Sequence, residues 1–280
     1  MNIRAVLTRA IVGISLVMLS WSATAQGVVG SAHDLSSGGG SPQFTSGNDQ
    51  VCVFCHTPHG SDTGAPVPLW NKVLTPGASY IRYSDLNTAG FESDEAPVGS
   101  VSLACLSCHD GTQAMDTVVN APGRGMGIGN IDGGGPANQM TGTPVPNLGL
   151  DLQDDHPISM QYGGGGVDTT THVLTPTATQ ASAALLGDPD FIAPYGATIN
   201  TNPVWWVNTT VGASTDRQKT DMLLYTRNDA INGASEIEPF VECGSCHDPH
   251  NSATFTAGEQ VAFLRIDNAQ SAVCTACHIK

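Results

Sequence analysis

The chain has 280 residues, with 25 acidic against ten basic side chains, a net charge of −15 and only 12% charged residues. That balance excludes nucleic acid and anionic membrane as natural partners, and favours cationic or mineral-like ones, or cations held between acidic surfaces. Glycine (32) and proline (17) are abundant and long amphipathic helical patterns are few, so a conventional apolar core would be sparse.

The first 25 residues read as a Sec signal peptide. "MNIRAVLTRAIVGISLVMLSWSATAQG" carries Arg4 and Arg9, an apolar run from Ala10 to about Trp21, and Ala23-Thr24-Ala25 as a small-residue cleavage site. The run is short for a membrane span, no cysteine follows the cleavage site to take a lipid, and no later segment is apolar enough to cross a bilayer. Removing it leaves eight basic against 25 acidic residues, a net charge of −17. The expectation is a secreted protein of the cell surface or the extracellular space, with the periplasm as the alternative.

Residues 26–120 form an N-terminal segment that begins with "GSAHDLSSGGGS", where His33 stands on a flexible Gly/Ser stretch, and continues through "VCVFCHTPHG" and "ACLSCHDG". Residues 121–240 read as a Gly/Pro/Thr-rich insertion. Its first part, "APGRGMGIGNIDGGGPANQMTGTPVPNLGL", has nine Gly and four Pro, reads as irregular loop and lacks a phosphate-cradling motif. Next comes "LQDDHPISMQY", where Pro157 restrains the backbone of His156 and Asp154 or Asp155 could accept a proton from its ring. "VDTTTHVLTPTATQAS" holds His172 and reads as a solvated or glycosylated loop. Trp205 and Trp206 are expected in a core, with stacking on a cofactor edge as the alternative. "RQKTDMLLYTRNDAI" is among the better helical candidates. Residues 241–280 form a compact C-terminal segment with "ECGSCHDPHN", an extended "EQVAFLRI" and "VCTACHIK".

The unit Cys-x-x-Cys-His occurs four times and holds all eight cysteines. Zinc sites and disulfide frameworks use paired cysteines but are indifferent to the next residue. With nine histidines in 280 residues, histidine after all four pairs has chance odds of about one in a million, whereas covalent haem c attachment requires it. Two sulfurs one helical turn apart reach the vinyl groups on one edge of a porphyrin, and the adjacent histidine supplies the proximal nitrogen to iron. Cys52, Cys55 and His56 would hold haem 1, and Cys105, Cys108 and His109 haem 2. Cys243, Cys246 and His247 would hold haem 3, and Cys274, Cys277 and His278 haem 4. Each motif is expected on a short helix. The fold class expected is mostly irregular loop with short α-helices and little β-structure, wrapped around four covalently attached haems.

Five histidines remain: His33, His59, His156, His172 and His250. They suffice for bis-histidine coordination at every iron, with His172 left out. His59 and His250 each follow a proximal histidine by three residues, so on a helical turn each lies on the same side as that neighbour. The distal ligand approaches from the opposite face, so both are expected to ligate a haem other than their own and to draw neighbouring haems together.

The elements "SAHDLS", "VCVFCHTPHG", "DDHPIS", "VECGSCHDPHN" and "FLRIDNAQSAVCTACHIK" resemble multihaem c-type cytochromes, in particular the tetrahaem subunits of extracellular cytochrome filaments of metal-respiring bacteria. The likeness covers both motif-bearing ends and the His156 element, but not most of residues 111–242. It implies continuous haem stacking along a polymer, a glycosylated surface, and one iron per subunit taking an axial histidine from the adjacent subunit, matched here by His33 or His59. The function expected is respiratory electron transfer to external acceptors, with other redox proteins or metal oxides as partners and no bond chemistry of an enzyme. A monomeric periplasmic shuttle and a multihaem reductase are the alternatives. The reductase would need an open iron position, which the histidine surplus argues against.

Overall fold

A computed structural model describes residues 27–64, 67–86, 93–124, 127–142, 146–164, 186–209, 216–227, 238–251 and 263–279. The signal segment, His172 and the Thr-rich stretch lie outside the described residues. Among those described, helix is confined to α1 (Ser100–His109), α2 (Cys243–Cys246), α3 (Ala272–Thr275) and short 3-10 turns such as Val51–Phe54. Strands are β1 (Thr117–Val118), β2 (Gly129–Asn130), β3 (Met160–Gln161), β4 (Tyr195–Ile199), β5 (Asn202–Val207), β6 (Met222–Arg227) and β7 (Glu238–Val241).

The expected loop-and-short-helix architecture with little β-structure is therefore wrong. β1 and β2 form a small antiparallel pair, and the other five strands form an antiparallel sheet in the order β3-β7-β6-β5-β4. The sheet grows out of the supposed insertion. β4 and β5 make a hairpin in register from Tyr195 opposite Trp206 to Ile199 opposite Asn202. Its two-residue turn, Asn200-Thr201, sits at φ +49 and +67, the primed-turn geometry that matches strand twist. β6 pairs Met222 with Val207, and β7 pairs Phe240 with Tyr225 on one side and with Gln161 of β3 on the other.

The helix expected over residues 217–231 is replaced in its described part by β6. Met222 and Leu224 are buried while Leu223 and Tyr225 are half-buried, a period of two that suits a pleated strand and not a helix face. β5 hides its character differently. Trp205, Trp206 and Val207 are all buried, so the strand reads as a continuous apolar run without alternation.

The core is indeed divided. Its largest cluster gathers Tyr162, Leu186, Trp205, Val207, Met222 and Leu224 with Cys246 and Cys277 packed against it. A second gathers Leu35, Phe54, Met115 and Met140 against Cys55 and Cys108. Two smaller ones surround Leu106 and Trp70. Helix α1 lies between them on small buried residues, Ser102, Ala104 and Ser107, and ends where Gly111 turns left-handed at φ +67. A Cβ there would stand 2.7 Å from Asn147 Oδ1.

Trp205, 2% exposed at the centre of the largest cluster, carries the sheet's packing. Trp205→Ala is expected to cost about 3–5 kcal/mol in denaturant unfolding. Ile199→Ala, at the hairpin end and 46% exposed, should stay within about 0.5 kcal/mol.

Candidate cofactor-binding site

Each motif opens in a helical turn that brings its two cysteines to one side. In the first, the Val51–Phe54 turn is pinned by Phe54, 1% exposed, and His56 N donates to Cys52 O at 2.8 Å. The second lies at the end of α1, the third on α2, and the fourth starts on α3. All eight cysteines are free thiols, with no disulfide between them.

The motifs stand in chain order in space. Cys55 and Cys108 pack against one apolar cluster and influence each other electrostatically. Cys105 and Cys243 share a hydrogen bond. Cys246 and Cys277 pack against another cluster, and Cys274 lies within electrostatic reach of both. Burial pushes the thiols of Cys55 up to about 12, Cys246 to about 11 and Cys277 to about 12. Such groups are poor thiolates, which argues against nucleophilic or bare-metal thiolate chemistry. Among the described residues no cluster of three or more His, Cys, Asp or Glu is arranged to hold a metal ion.

The imidazoles come in pairs. The rings of His56 and His250 have centroids 6.2 Å apart at 20°, and those of His33 and His109 are 6.1 Å apart at 73°. With metal–nitrogen bonds of about 2.0–2.1 Å, gaps of this width could take a metal held by one nitrogen of each ring. His250 was expected to ligate a haem other than its own, and its ring lies near that of His56 in the first motif. The helical-turn argument behind that expectation does not hold, because His247 is extended, at φ −106 and ψ 141.

Proline carbonyls orient these rings. His56 Nδ1 donates to Pro68 O at 2.8 Å, His109 Nδ1 to Pro146 O at 2.7 Å and His156 Nδ1 to Pro157 O at 3.0 Å. A carbonyl can only accept, so Nδ1 carries the proton and Nε2 is the bare nitrogen that can ligate. A ring nitrogen of His33 bonds to Pro249 O. Burial, helped by His109, lowers the His33 pKa to about 4, so the ring is neutral. His33 also stacks on Phe263, 4.0 Å between centroids and 6° apart in plane, with Phe263 held at φ +66. An aromatic residue in that region is strained, and the strain lies where His33 is seated. For His156 the proton acceptor is thus Pro157 O, in place of the Asp154 or Asp155 carboxylate that the sequence suggested.

The remaining histidines have other surroundings. His59 is exposed, with its carbonyl fixed by Asn120 Nδ2 at 2.6 Å and Thr57 Oγ1 at 3.1 Å. His156 is exposed as well. His278 packs its ring 4.4 Å from Phe191, and His247 pairs its backbone with Leu264. Trp205 and Trp206 are buried at 2% and 3%, as a core role requires. Trp70 meets His56 edge-on at 5.7 Å, and its Nε1 is buried without a partner. An indole N–H in that position is a donor awaiting an acceptor that the polypeptide does not provide.

Sequence reasoning missed two buried charges beside the motifs. Lys72, fully buried, donates to the carbonyls of Met115 and Thr117. Its signal was a lone lysine in the apolar "LWNKVL". Glu242, 1% exposed, sits directly before Cys243 and caps α2 reciprocally with Ser245. Its carboxylate accepts from Ser102 Oγ at 2.5 Å, Ser159 Oγ at 3.3 Å and Arg227 Nη1 at 3.1 Å. Burial outweighs these donors and pushes the carboxyl up to about 7. A reversed capping pattern, Glu then Ser three residues on, was legible in "ECGS".

Neither the family models nor the curated proteins compared with this chain gave a match.

The Glu242 shift has a defined pH signature. The folded state holds this proton more tightly than the unfolded state, whose carboxyl titrates near 4.5. Stability is therefore lost as pH rises from about 4.5 to about 7, by at most about 1.4 kcal/mol per pH unit, and the loss is complete above that window. Glu242→Gln should remove this component, so the difference in unfolding free energy between variant and wild type grows across the window and is flat outside it.

Proposed function

We propose that this chain is a tetrahaem c-type cytochrome, exported from the cell, that carries electrons through bis-histidine haems and polymerises into an extracellular filament delivering respiratory electrons to external acceptors. The observation that carries the reading is the pair of imidazole gaps, 6.2 and 6.1 Å wide, each formed by one motif histidine and one histidine outside that motif. In this reading His250 is the distal partner at the haem of His56, and His33 at the haem of His109. Haem, once bound, supplies a one-electron iron couple, whose potential axial nitrogens, burial and nearby charges set.

The chain's own residues fit that cofactor in three ways. The cysteine pairs stand free on helical turns, the proline carbonyls leave Nε2 bare on His56 and His109, and Trp70 offers an unpartnered buried donor beside His56. Successive motifs meet, Cys55 with Cys108, Cys105 with Cys243 and Cys246 with Cys277, which supports a row of adjacent haems. The filament reading draws on the histidine inventory. With His33 seated against His109, the exposed His59 is the residue left to reach an adjacent subunit, and His156 serves within the chain. Cys52 and Cys274, the first cysteines of the two terminal motifs, are exposed, which opens both ends of the row to neighbours. Among the described residues no helix is long and apolar enough to cross a membrane.

Electron microscopy of the haem-loaded native protein tests polymerisation directly. Thin fibres with a regular repeat are expected for wild type, and His59→Ala should give single particles with four attached haems. Monodisperse wild-type particles across salt and cation conditions would replace the filament by a shuttle. His33→Ala and His250→Ala should each convert one of the four haems to a high-spin form that binds carbon monoxide. A wild-type assembly that already binds carbon monoxide at one haem would point to a reductase.

A further inference from the structure

The junction of α1 and α2 contains more than two attachment helices need. Ser102 Oγ, on α1, donates to Glu242 Oε2 and accepts from the backbone N–H of Cys243 at 3.0 Å. Arg227, on β6, donates Nη1 to Glu242 Oε1 and Nη2 to Pro97 O at 2.6 Å, just before α1. The guanidinium packs so closely there that a Cβ on Gly99 would come within 2.5 Å of Nη2. On the far side, a Cβ on Gly244 would come within 2.3 Å of the Tyr225 hydroxyl. One buried acid thus binds the helix bearing Cys105 and Cys108 to the helix bearing Cys243 and Cys246.

The groups facing this carboxylate from each packed element are few. α1 contributes Ser102 and Cys105, the chain before β3 contributes Ser159, and α2 contributes Cys243 and Ser245. β6 contributes Arg227 and Tyr225, whose phenol is raised by burial and is neutral across the physiological range. Arg265, bonded through Nε to Gly244 O, is the next cation along α2. Thioether formation would remove Cys105 and Cys243 from the titrating set. Among the described residues, Glu242 is then the group facing the junction whose charge can change near neutrality.

We propose that Glu242 sets the reduction potential of the two haems carried by α1 and α2 and couples their reduction to uptake of one proton. The proposal rests on the haem reading above. One electron from a low-potential one-electron donor reduces Fe(III) to Fe(II), and one proton from solvent forms an O–H bond on the Glu242 carboxylate, so the net charge at the junction is unchanged. An ionised carboxylate stabilises the oxidised iron and lowers the potential; a protonated one does not. Buried where the two motif helices meet, the charge would act on a haem held by either one.

Spectroelectrochemical titration of the holoprotein between pH 5 and 9 tests this. Two of the four wild-type midpoint potentials should fall as pH rises through neutrality, and because one proton serves both haems the two falls together should approach a tenfold change in the redox equilibrium per pH unit, or about 59 mV for a one-electron step. Glu242→Gln should abolish that fall and hold both potentials at their acid-side value, and Glu242→Asp should restore it. If Glu242→Gln does not load four haems, Ser102→Ala keeps the test alive. It removes a donor to the carboxylate without changing its charge, and should move the bend to higher pH with the same limits. A wild-type profile without the fall, or a Glu242→Gln protein with four low-spin haems and the wild-type slope, would overturn the proposal. A chain carrying fewer than four haems by mass would instead overturn the haem reading itself.

Discussion

The turn Asp248-Pro249-His250 is the constraint on which the site depends. His250 brings its ring to 6.2 Å from His56, while the carbonyl of Pro249 accepts from His33, whose ring faces His109. The turn is anchored in its turn: Asp248 N donates to Phe263 O at 2.8 Å, and Phe263 stacks on His33. One short stretch of the C-terminal segment therefore completes both imidazole pairs of the N-terminal one. Without it, His56 and His109 would keep their proline-carbonyl bonds and lose their opposite faces.

This arrangement explains why the core is split into small clusters. Apolar residues gather around separate motif cysteines: Leu35, Phe54, Met115 and Met140 beside Cys55 and Cys108, and the β-sheet residues beside Cys246 and Cys277. The sheet supplies the rigidity that loops would not. β7 runs directly into Glu242 and α2, so the register that pairs Phe240 with Tyr225 also places Cys243 against α1. Backbone hydrogen bonding in the sheet and the buried Glu242–Arg227 pair act on the same junction from two sides. A buried ion pair is a weak source of stability because desolvation offsets its attraction. What the pair offers beyond an apolar substitute is a charge at the junction.

Prolines act throughout as orienting groups. Four imidazoles, those of His33, His56, His109 and His156, bond to carbonyls of Pro249, Pro68, Pro146 and Pro157. A proline has a fixed φ and no N–H of its own, so its carbonyl presents one well-defined acceptor. Holding the Nδ1 proton in this way fixes the tautomer and leaves Nε2 for ligation.

The sequence by itself determined the chemistry: four Cys-x-x-Cys-His units and a surplus of histidines follow from residue identity and local spacing, which no tertiary contact alters. What it did not carry was the β-sheet, because β5 buries three successive residues, Trp205 to Val207, and shows no alternation, and because "MLLYTR" of β6 fits a helix as well as a strand until its neighbours are known. The partner of each histidine was equally out of reach. His33 and His109 lie far apart in the chain, as do His56 and His250, and only the docking of the C-terminal turn onto the N-terminal motifs decides that they meet. Glu242 shows the same division: its position before Cys243 was visible, but its burial, its contact with Arg227 and its raised pKa arise only where α1, α2 and β6 converge.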